Sequence, residues 1–307
     1  MTPREQDMGC ALFQEYFTDD ALRLLRAAIA LALDEDGPDL TAEGIFPPDK
    51  NIRAAIVAKE TSLVAGLPLI PLIFEVYGES GLWQHRAQDG ARVVAGQEIT
   101  RIHGSAATVL KVERVILNFI THLSGIANLT ARYVQQLEGT GVTLLDTRKT
   151  LPGLRWPEKY AVRVGGGSNH RRNLAEMLML KDNHIDAAGS ITAAVARLRA
   201  RYAPCPPIEV ECRTCREVRE AVAAQAERVM LDNMSLPLLA QALPLIPPHI
   251  EAEISGGVTL ENIRALALSS PRRPDFISVG RLTHSAVAAD FSMRILCCDP
   301  QSAPPAD

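Results

Sequence analysis

In this chain of 307 residues, the groups best suited to chemistry are densest between Thr147 and Lys181. That segment holds Arg148, Lys149, Arg155, Lys159, Arg163, Arg171, Arg172 and Lys181 against Glu158 and Glu176, a net charge of +6. His170 lies inside it and His184 just beyond. The chain totals −4, so the other residues together carry −10. A basic run of scattered lysines ordinarily marks a solvated face. Here most of the cations are arginines, interleaved with glycine at Gly153 and at Gly165, Gly166 and Gly167. Arginine clasps carboxylate and phosphate through paired hydrogen bonds, and glycine lets backbone amides approach an anion closely. A small polyanionic substrate is therefore favoured over a surface patch.

Two further sets stand at the ends of short apolar runs. Glu211 closes PIEVE and Asp232 closes RVMLD. Acids so placed can hold Mg²⁺, bind sugar hydroxyls or stabilise positive charge on a reacting carbon. They can equally cap the helices that follow, and spacing alone leaves both readings open. Ser255-Gly256-Gly257 precedes a helical pattern beginning near Thr259, and Gly280 stands at the next strand end. A glycine turn feeding a helix suits a phosphate, although tight turns use the same residues. The six cysteines include a C-x-x-C at Cys212 and Cys215, without a second pair or an H-x(3–5)-H to complete a zinc site. They are expected to be reduced cysteines in a cytosolic protein.

The elements that must position these groups follow from periodicity. Apolar residues recur at helical spacing over residues 20–33, with Gly37-Pro38 as a stop. Strand-like runs follow at 53–59, 92–94 and 98–103. A long helix is predicted over 105–123, broken by Ser124-Gly125 before a second helical stretch to about 137. From Val142 onward, short β-rich runs alternate with helical patterns, and the later strand ends fall 21 to 30 residues apart. Such alternation implies a parallel sheet buried on both faces. With six or seven units, closure into an α/β barrel is favoured over an open doubly wound sheet, and barrels carry their functional groups at the C-terminal strand ends. Charged residues form 22% and hydrophobic residues 47% of the chain, an average soluble composition that excludes wholesale disorder and a collagen-like fibre. The mildly acidic total gives no reason to expect nucleic acid or anionic membrane as partner. The most apolar uncharged run, 62–74, is too short to span a bilayer.

Nearly the whole chain, roughly residues 20–296, resembles the quinolinate phosphoribosyltransferase family. The matching stretches are DEDGPDLT (34–41), ERVILNFITHLSGIA (113–127), DTRKTLPGLR (146–155), EKYAVRVGGGSNHR (158–171) and LKDNHI (180–185), followed by IEVEC, VMLDNMS, EISGGVTLENI and DFISVGRLTHSA. The resemblance implies an α/β chain with an N-terminal α+β sandwich domain (1–125) and an incomplete α/β barrel (126–285). It also implies that a C-terminal segment (286–307) packs back on the sandwich. It implies transfer of phosphoribosyl from phosphoribosyl pyrophosphate to quinolinate with decarboxylation, and Mg²⁺ as the cofactor. Arg148, His170, Arg171 and Lys181 would surround the quinolinate carboxylates, and Arg114 would reach in from a neighbouring subunit. Lys149 would contact phosphoribosyl pyrophosphate, Glu211 and Asp232 would serve the ribose hydroxyls and Mg²⁺, and Ser255, Gly256, Gly257 and Gly280 would cradle a phosphate. The family pairs head to tail as a homodimer, and some members build hexamers. Two departures stand out: Arg281 after SVG, where a small or apolar residue is usual, and Arg172-Asn173 after NHR, where many members have a glycine before the leucine. Two rival readings are a Schiff-base aldolase using Lys149 or Lys181, and a non-catalytic relative associated with molybdenum transport.

Overall fold

The computed structural model describes residues 8–298, which divide into two compact units. Among the described residues, the first comprises residues 8–129, 151–165 and 285–298; the second comprises Thr130–Thr150 and Gly166–His284. The units interleave in sequence, and 151–165, read from the sequence as part of the barrel, is counted with the first.

Six strands fall in the first unit: β1 (Asn51–Ala58), β2 (Ser62–Leu63), β3 (Leu82–His85), β4 (Arg92–Val93), β5 (Glu98–Ser105) and, after the second unit, β12 (Phe291–Cys298). Four of them form an antiparallel sheet in the order β12-β1-β5-β3, and β2 pairs with β4. Helix Asp19–Glu35 buries Ala21, Leu25, Ile29 and Leu33, every fourth residue, which is one stripe of a helix. Its C-terminal end is met by Lys111, whose ammonium donates to the Leu33 carbonyl at 3.1 Å and to the Gly37 carbonyl. A cation there satisfies carbonyls left without amide partners.

The predicted break at Ser124-Gly125 does not occur: one helix runs from Ala106 to Leu137. Both residues instead admit neighbours. Ser124 Oγ accepts the Ala65 amide at 2.9 Å, and a Cβ on Gly125 would collide with the Val287 carbonyl. Asp89 joins three segments of the same unit. Its carboxylate accepts the Gly66 amide at 2.8 Å, the Leu67 amide at 2.9 Å and the Tyr160 hydroxyl at 2.7 Å.

The second unit holds β6 (Thr143–Leu145), β7 (Leu178–Leu180), β8 (Ile208–Cys212), β9 (Arg228–Asp232), β10 (Glu251–Ser255) and β11 (Phe276–Ser278). All pairings are parallel, in the order β6-β11-β10-β9-β8-β7. β6 and β7 stand at the two ends of that order, so the sheet does not close, which is the incomplete α/β barrel expected. Side chains alternate along each strand. On β8, Ile208, Val210 and Cys212 form one buried face, while Glu209 and Glu211 point the other way. Register places Glu211 and Glu253 opposite Met230, and Ser255 opposite Asp232. The inward face is therefore strongly polar, and the outward face is the apolar one packed under helices.

Candidate active site

The C-terminal strand ends of the second unit open into a cavity of about 510 Å³. Four cations line it: Arg148 and Lys149 after β6, Arg171 before β7, and Lys181 after β7. Glu211, Asp232 and the turn Ser255-Gly256-Gly257 line it from β8, β9 and β10, and His170 reaches it from beneath with 5% exposure. Ten of the twelve residues singled out from the sequence thus meet in one place. The other two lie elsewhere. Arg114 belongs to the helix Ala106–Leu137 in the first unit. Gly280 is off the cavity wall, and a Cβ there would come 3.0 Å from Lys149 Cδ, so its bareness makes room for the lysine stem.

The basic segment is not one patch. Arg155, Lys159 and Arg163 belong to the helix Arg155–Val164 of the first unit, where Lys159 is fully buried. Arg172 pairs with Glu176 at 2.6 Å. The anion-cradling role read for the glycines fails for the same reason of place. Gly165 ends that helix, Gly166 turns the chain with φ +88°, Gly153 turns it with φ +78°, and none of them lines the cavity.

The cations that remain are held by named partners. Lys149 is fixed at its backbone, where its amide donates to Thr147 Oγ1 at 3.0 Å and its carbonyl accepts from Thr283 Oγ1 at 2.8 Å. Arg171 donates from Nη1 to the Met177 carbonyl at 2.8 Å. Burial, and then the charge of Arg148, pull Arg171 below the ordinary guanidinium range. Arg148 Nε is buried without a hydrogen-bond partner. Two crowded guanidiniums, one with an unmet donor, are the signature of a wall awaiting an anion. Lys181 Nζ forms an ion pair with Glu211 at 2.7 Å, and Arg213 lies 3.8 Å from the other Glu211 oxygen.

Residues that the sequence reading passed over brace this set. Asp146, fully buried at the end of β6, accepts the His170 amide at 2.9 Å and the Asn169 amide group at 2.7 Å. Asn233 takes a left-handed conformation, φ +53°, donates its side-chain amide to Asp232 at 2.8 Å, and donates its backbone amide to the Ser255 carbonyl at 2.9 Å. Gly256, φ +84°, has no room for a Cβ because the Asn233 side chain occupies that space. Asp146 opens DTRKT two residues before Arg148, and Asn233 follows Asp232 in VMLDNMS, so adjacency in the chain is the signal for both. Glu209 and Glu253, inside their strands, are fully buried beneath the cavity. Burial pushes both carboxyl groups well above the usual range, and Glu253 is raised further by the charge of Glu209.

Cys212 is buried, and burial first of all pushes its thiol up, away from the thiolate that redox chemistry or a metal needs. Neither it nor Cys215 joins a group of three metal-ligating side chains among the described residues.

Comparison with known proteins decides the lineage. The profile of the quinolinate phosphoribosyl transferase C-terminal domain matches residues 126–294, and that of the N-terminal domain matches residues 39–124. The chain belongs to the quinolinate phosphoribosyltransferase family. A probable nicotinate-nucleotide pyrophosphorylase (carboxylating) of Bacillus subtilis is 42% identical over 257 residues, covering 84% of this chain and 88% of that one. The chloroplastic nicotinate-nucleotide pyrophosphorylase (carboxylating) of Oryza sativa is 39% identical over 292 residues, covering 88% and 77%. Among solved structures, NadC from Streptococcus pyogenes superposes with a TM-score of 0.84 at 40% identity, covering 91% of this chain and 98% of that one. Membership of the quinolinate phosphoribosyltransferase family sets aside the Schiff-base aldolase and the molybdenum-associated relative. No helix among the described residues is long and apolar enough to cross a membrane.

Proposed function

We propose that this chain transfers the phosphoribosyl group of phosphoribosyl pyrophosphate to quinolinate, releasing pyrophosphate and CO₂ and leaving nicotinate mononucleotide. One observation carries the reading: Arg148, Lys149, Arg171 and Lys181 line the same cavity as Glu211, Asp232 and a glycine turn. A dicarboxylate and a sugar phosphate together need both kinds of wall.

The residues then take the following parts. Arg148 and Arg171 bind the quinolinate carboxylates and fix the ring so that its nitrogen faces the anomeric carbon. Ordering a dianion in this way replaces the hydration it loses. The nitrogen lone pair forms the new bond to that carbon as the bond to pyrophosphate breaks, with the departing electron pair leaving on oxygen. Positive charge on the sugar during this step is stabilised by the Glu211 and Asp232 carboxylates, and Lys149 meets the negative charge of the leaving group. The product is a pyridinium, which draws in the electron pair of the adjacent ring–carboxylate bond as CO₂ departs. The carbanion left at that carbon takes up one proton. Lys181, held against Glu211, keeps that carboxylate oriented.

Glu211 and Asp232 fit Mg²⁺ in the manner of sites that supply one or two carboxylates and leave the rest to substrate phosphates and water. When bound, the ion would add positive charge beside the pyrophosphate. The turn Ser255-Gly256-Gly257 is assigned to the sugar phosphate. The working unit is proposed to be a cytosolic, head-to-tail pair of chains, with Arg114 of one completing the site of the other. The deciding experiment incubates the purified protein with quinolinate, phosphoribosyl pyrophosphate and Mg²⁺, with nicotinate in a parallel reaction. Nicotinate mononucleotide and CO₂ are expected from quinolinate alone; product from nicotinate, or none from quinolinate, overturns the reading.

A further inference from the structure

Glu209 and Glu253 lie under the cavity without lining it. The Glu209 oxygens receive no amide, hydroxyl, imidazole or guanidinium hydrogen bond, and the group they meet is the Glu253 carboxyl. A buried carboxyl group met chiefly by a second carboxyl is costly, so its other neighbours explain why it is there. Arg228 Nη1 lies 3.2 Å from Glu253, and Ser278, which contacts Glu253, also lies 3.0 Å from Ser255 Oγ. On the other side, His170 Nε2 is 3.1 Å from Glu209 and 3.5 Å from Glu253.

His170, Glu209 and Glu253 stand close enough together to suggest a divalent cation. The imidazole argues against one. Its Nδ1 accepts the Arg171 amide at 2.7 Å and so carries no proton. The ring proton of the neutral imidazole then sits on Nε2, the atom that faces the acids, and a protonated nitrogen is no ligand. The Arg228 guanidinium supplies the positive charge on the far side of Glu253.

We propose that Glu209 and Glu253 are positioning residues for the dicarboxylate wall. They face His170 Nε2 with negative charge at 3.1 and 3.5 Å, favour the proton on that nitrogen, and so fix the tautomer whose Nδ1 holds the Arg171 amide and thereby set where the Arg171 guanidinium points. His170 is then held at its backbone amide by a hydrogen bond to Asp146, while the charge of the acid pair faces its ring. Arg171 is gripped at its amide by His170 and at its guanidinium by the Met177 carbonyl. A ring turned over, or carrying its proton on Nδ1, would present N–H against N–H at Arg171. The consequence for turnover rests on the quinolinate reading; the tautomer does not.

The test uses full-length protein labelled with ¹⁵N-histidine, with the His170 signals identified by their loss in His170→Asn. Long-range ¹H–¹⁵N spectra of the unliganded protein should show one neutral tautomer, protonated on Nε2. A proton on Nδ1 at neutral pH overturns the proposal, whatever the variants do. Glu209→Leu removes the nearer acceptor at similar volume. It should mix the tautomers and raise KM for quinolinate about tenfold or more, the usual effect of losing a buried hydrogen bond to a charged group, with kcat changed far less. Glu209→Gln keeps an acceptor oxygen and should restore both readings. An unchanged tautomer and KM in Glu209→Leu, or a Gln variant as impaired as the Leu variant, would reject the positioning role. Should Glu209→Leu fail to fold, the wild-type spectrum still decides. A wild-type protein inactive on quinolinate would defeat the proposed function and leave the tautomer result standing.

Discussion

Arg148 and Arg171 share a small, partly dehydrated space, and each is costlier to keep there than on the surface. The cost is offset only when an anion arrives, which ties their retention to binding rather than to stability. Arg148→Ala and Arg171→Ala should therefore each raise KM for quinolinate by roughly 10- to 100-fold, the range for charge-assisted hydrogen bonds, while the melting temperature changes little. Steady-state kinetics with thermal melts read both quantities, and unchanged quinolinate affinity in either variant would remove it from the wall. Gly256→Ala tests the opposite wall. Its Cβ would displace the Asn233 side chain from Asp232, and its left-handed backbone adds about 1 kcal/mol of strain. Calorimetric titration with phosphoribosyl pyrophosphate should show weaker binding, with quinolinate affinity close to wild type. Arg148, Lys149 and Lys181 were legible in the sequence because they closely follow short apolar strand runs, whereas the glycine-flanked Arg155 and Arg163 belong to a helix of the other unit. Glu209 and Glu253 were not, because an acid at alternate positions of a short strand reads as a solvated face. Only the parallel sheet turns that face inward.

At the scale of elements, glycine was the least legible residue. Gly125 reads as a helix breaker, yet it stays helical and yields space to the Val287 carbonyl. Gly165 to Gly167 read as an anion cradle and serve as a helix stop and a turn. What a glycine is for depends on what approaches it, and single-sequence periodicity carries no record of that. Strand ends and helix periods were legible since they depend on local alternation. Asp89 shows the same dependence on distant partners. Lost hydration raises its carboxyl group to about 6, against the pull of the Gly66 and Leu67 amides and the Tyr160 hydroxyl. A carboxyl group raised in the folded state binds its proton more tightly there than when unfolded, so the stability it contributes is greatest below about pH 4 and declines as pH rises to about 6. The side chain keeps some solvent contact, so the slope should be only a fraction of the ~1.4 kcal/mol per pH unit of a fully buried group. Melting temperatures measured from pH 4 to 7 should show that decline in the wild type relative to Asp89→Asn. Asp89→Asn should also be less stable throughout, since its amide group cannot accept from all three donors. Parallel pH curves for the two proteins would refute the assignment.

At the scale of the molecule, the bland total of −4 concealed a division of labour: four of the eight cations of the basic segment serve the cavity, three belong to a helix of the other unit, and Arg172 pairs with Glu176. If the site is shared between chains, Arg114→Ala mixed with Lys149→Ala should regain part of the wild-type rate through hybrids carrying one intact site. Hybrids demonstrated by mass spectrometry but devoid of activity would refute sharing. The division of the chain has a further consequence, for how the protein is made. β1 is an interior strand only because β12, some 230 residues later, pairs along its whole length. A ribosome that has released the first unit's early strands must synthesise the entire barrel before their neighbour emerges. Until residue 298 is out, β1 presents an open edge of amides and carbonyls flanked by apolar side chains, a template for pairing with another nascent chain. A chain ended at residue 285 should therefore be recovered largely as aggregate, and supplying residues 286–307 as a separate peptide during refolding should increase the soluble yield.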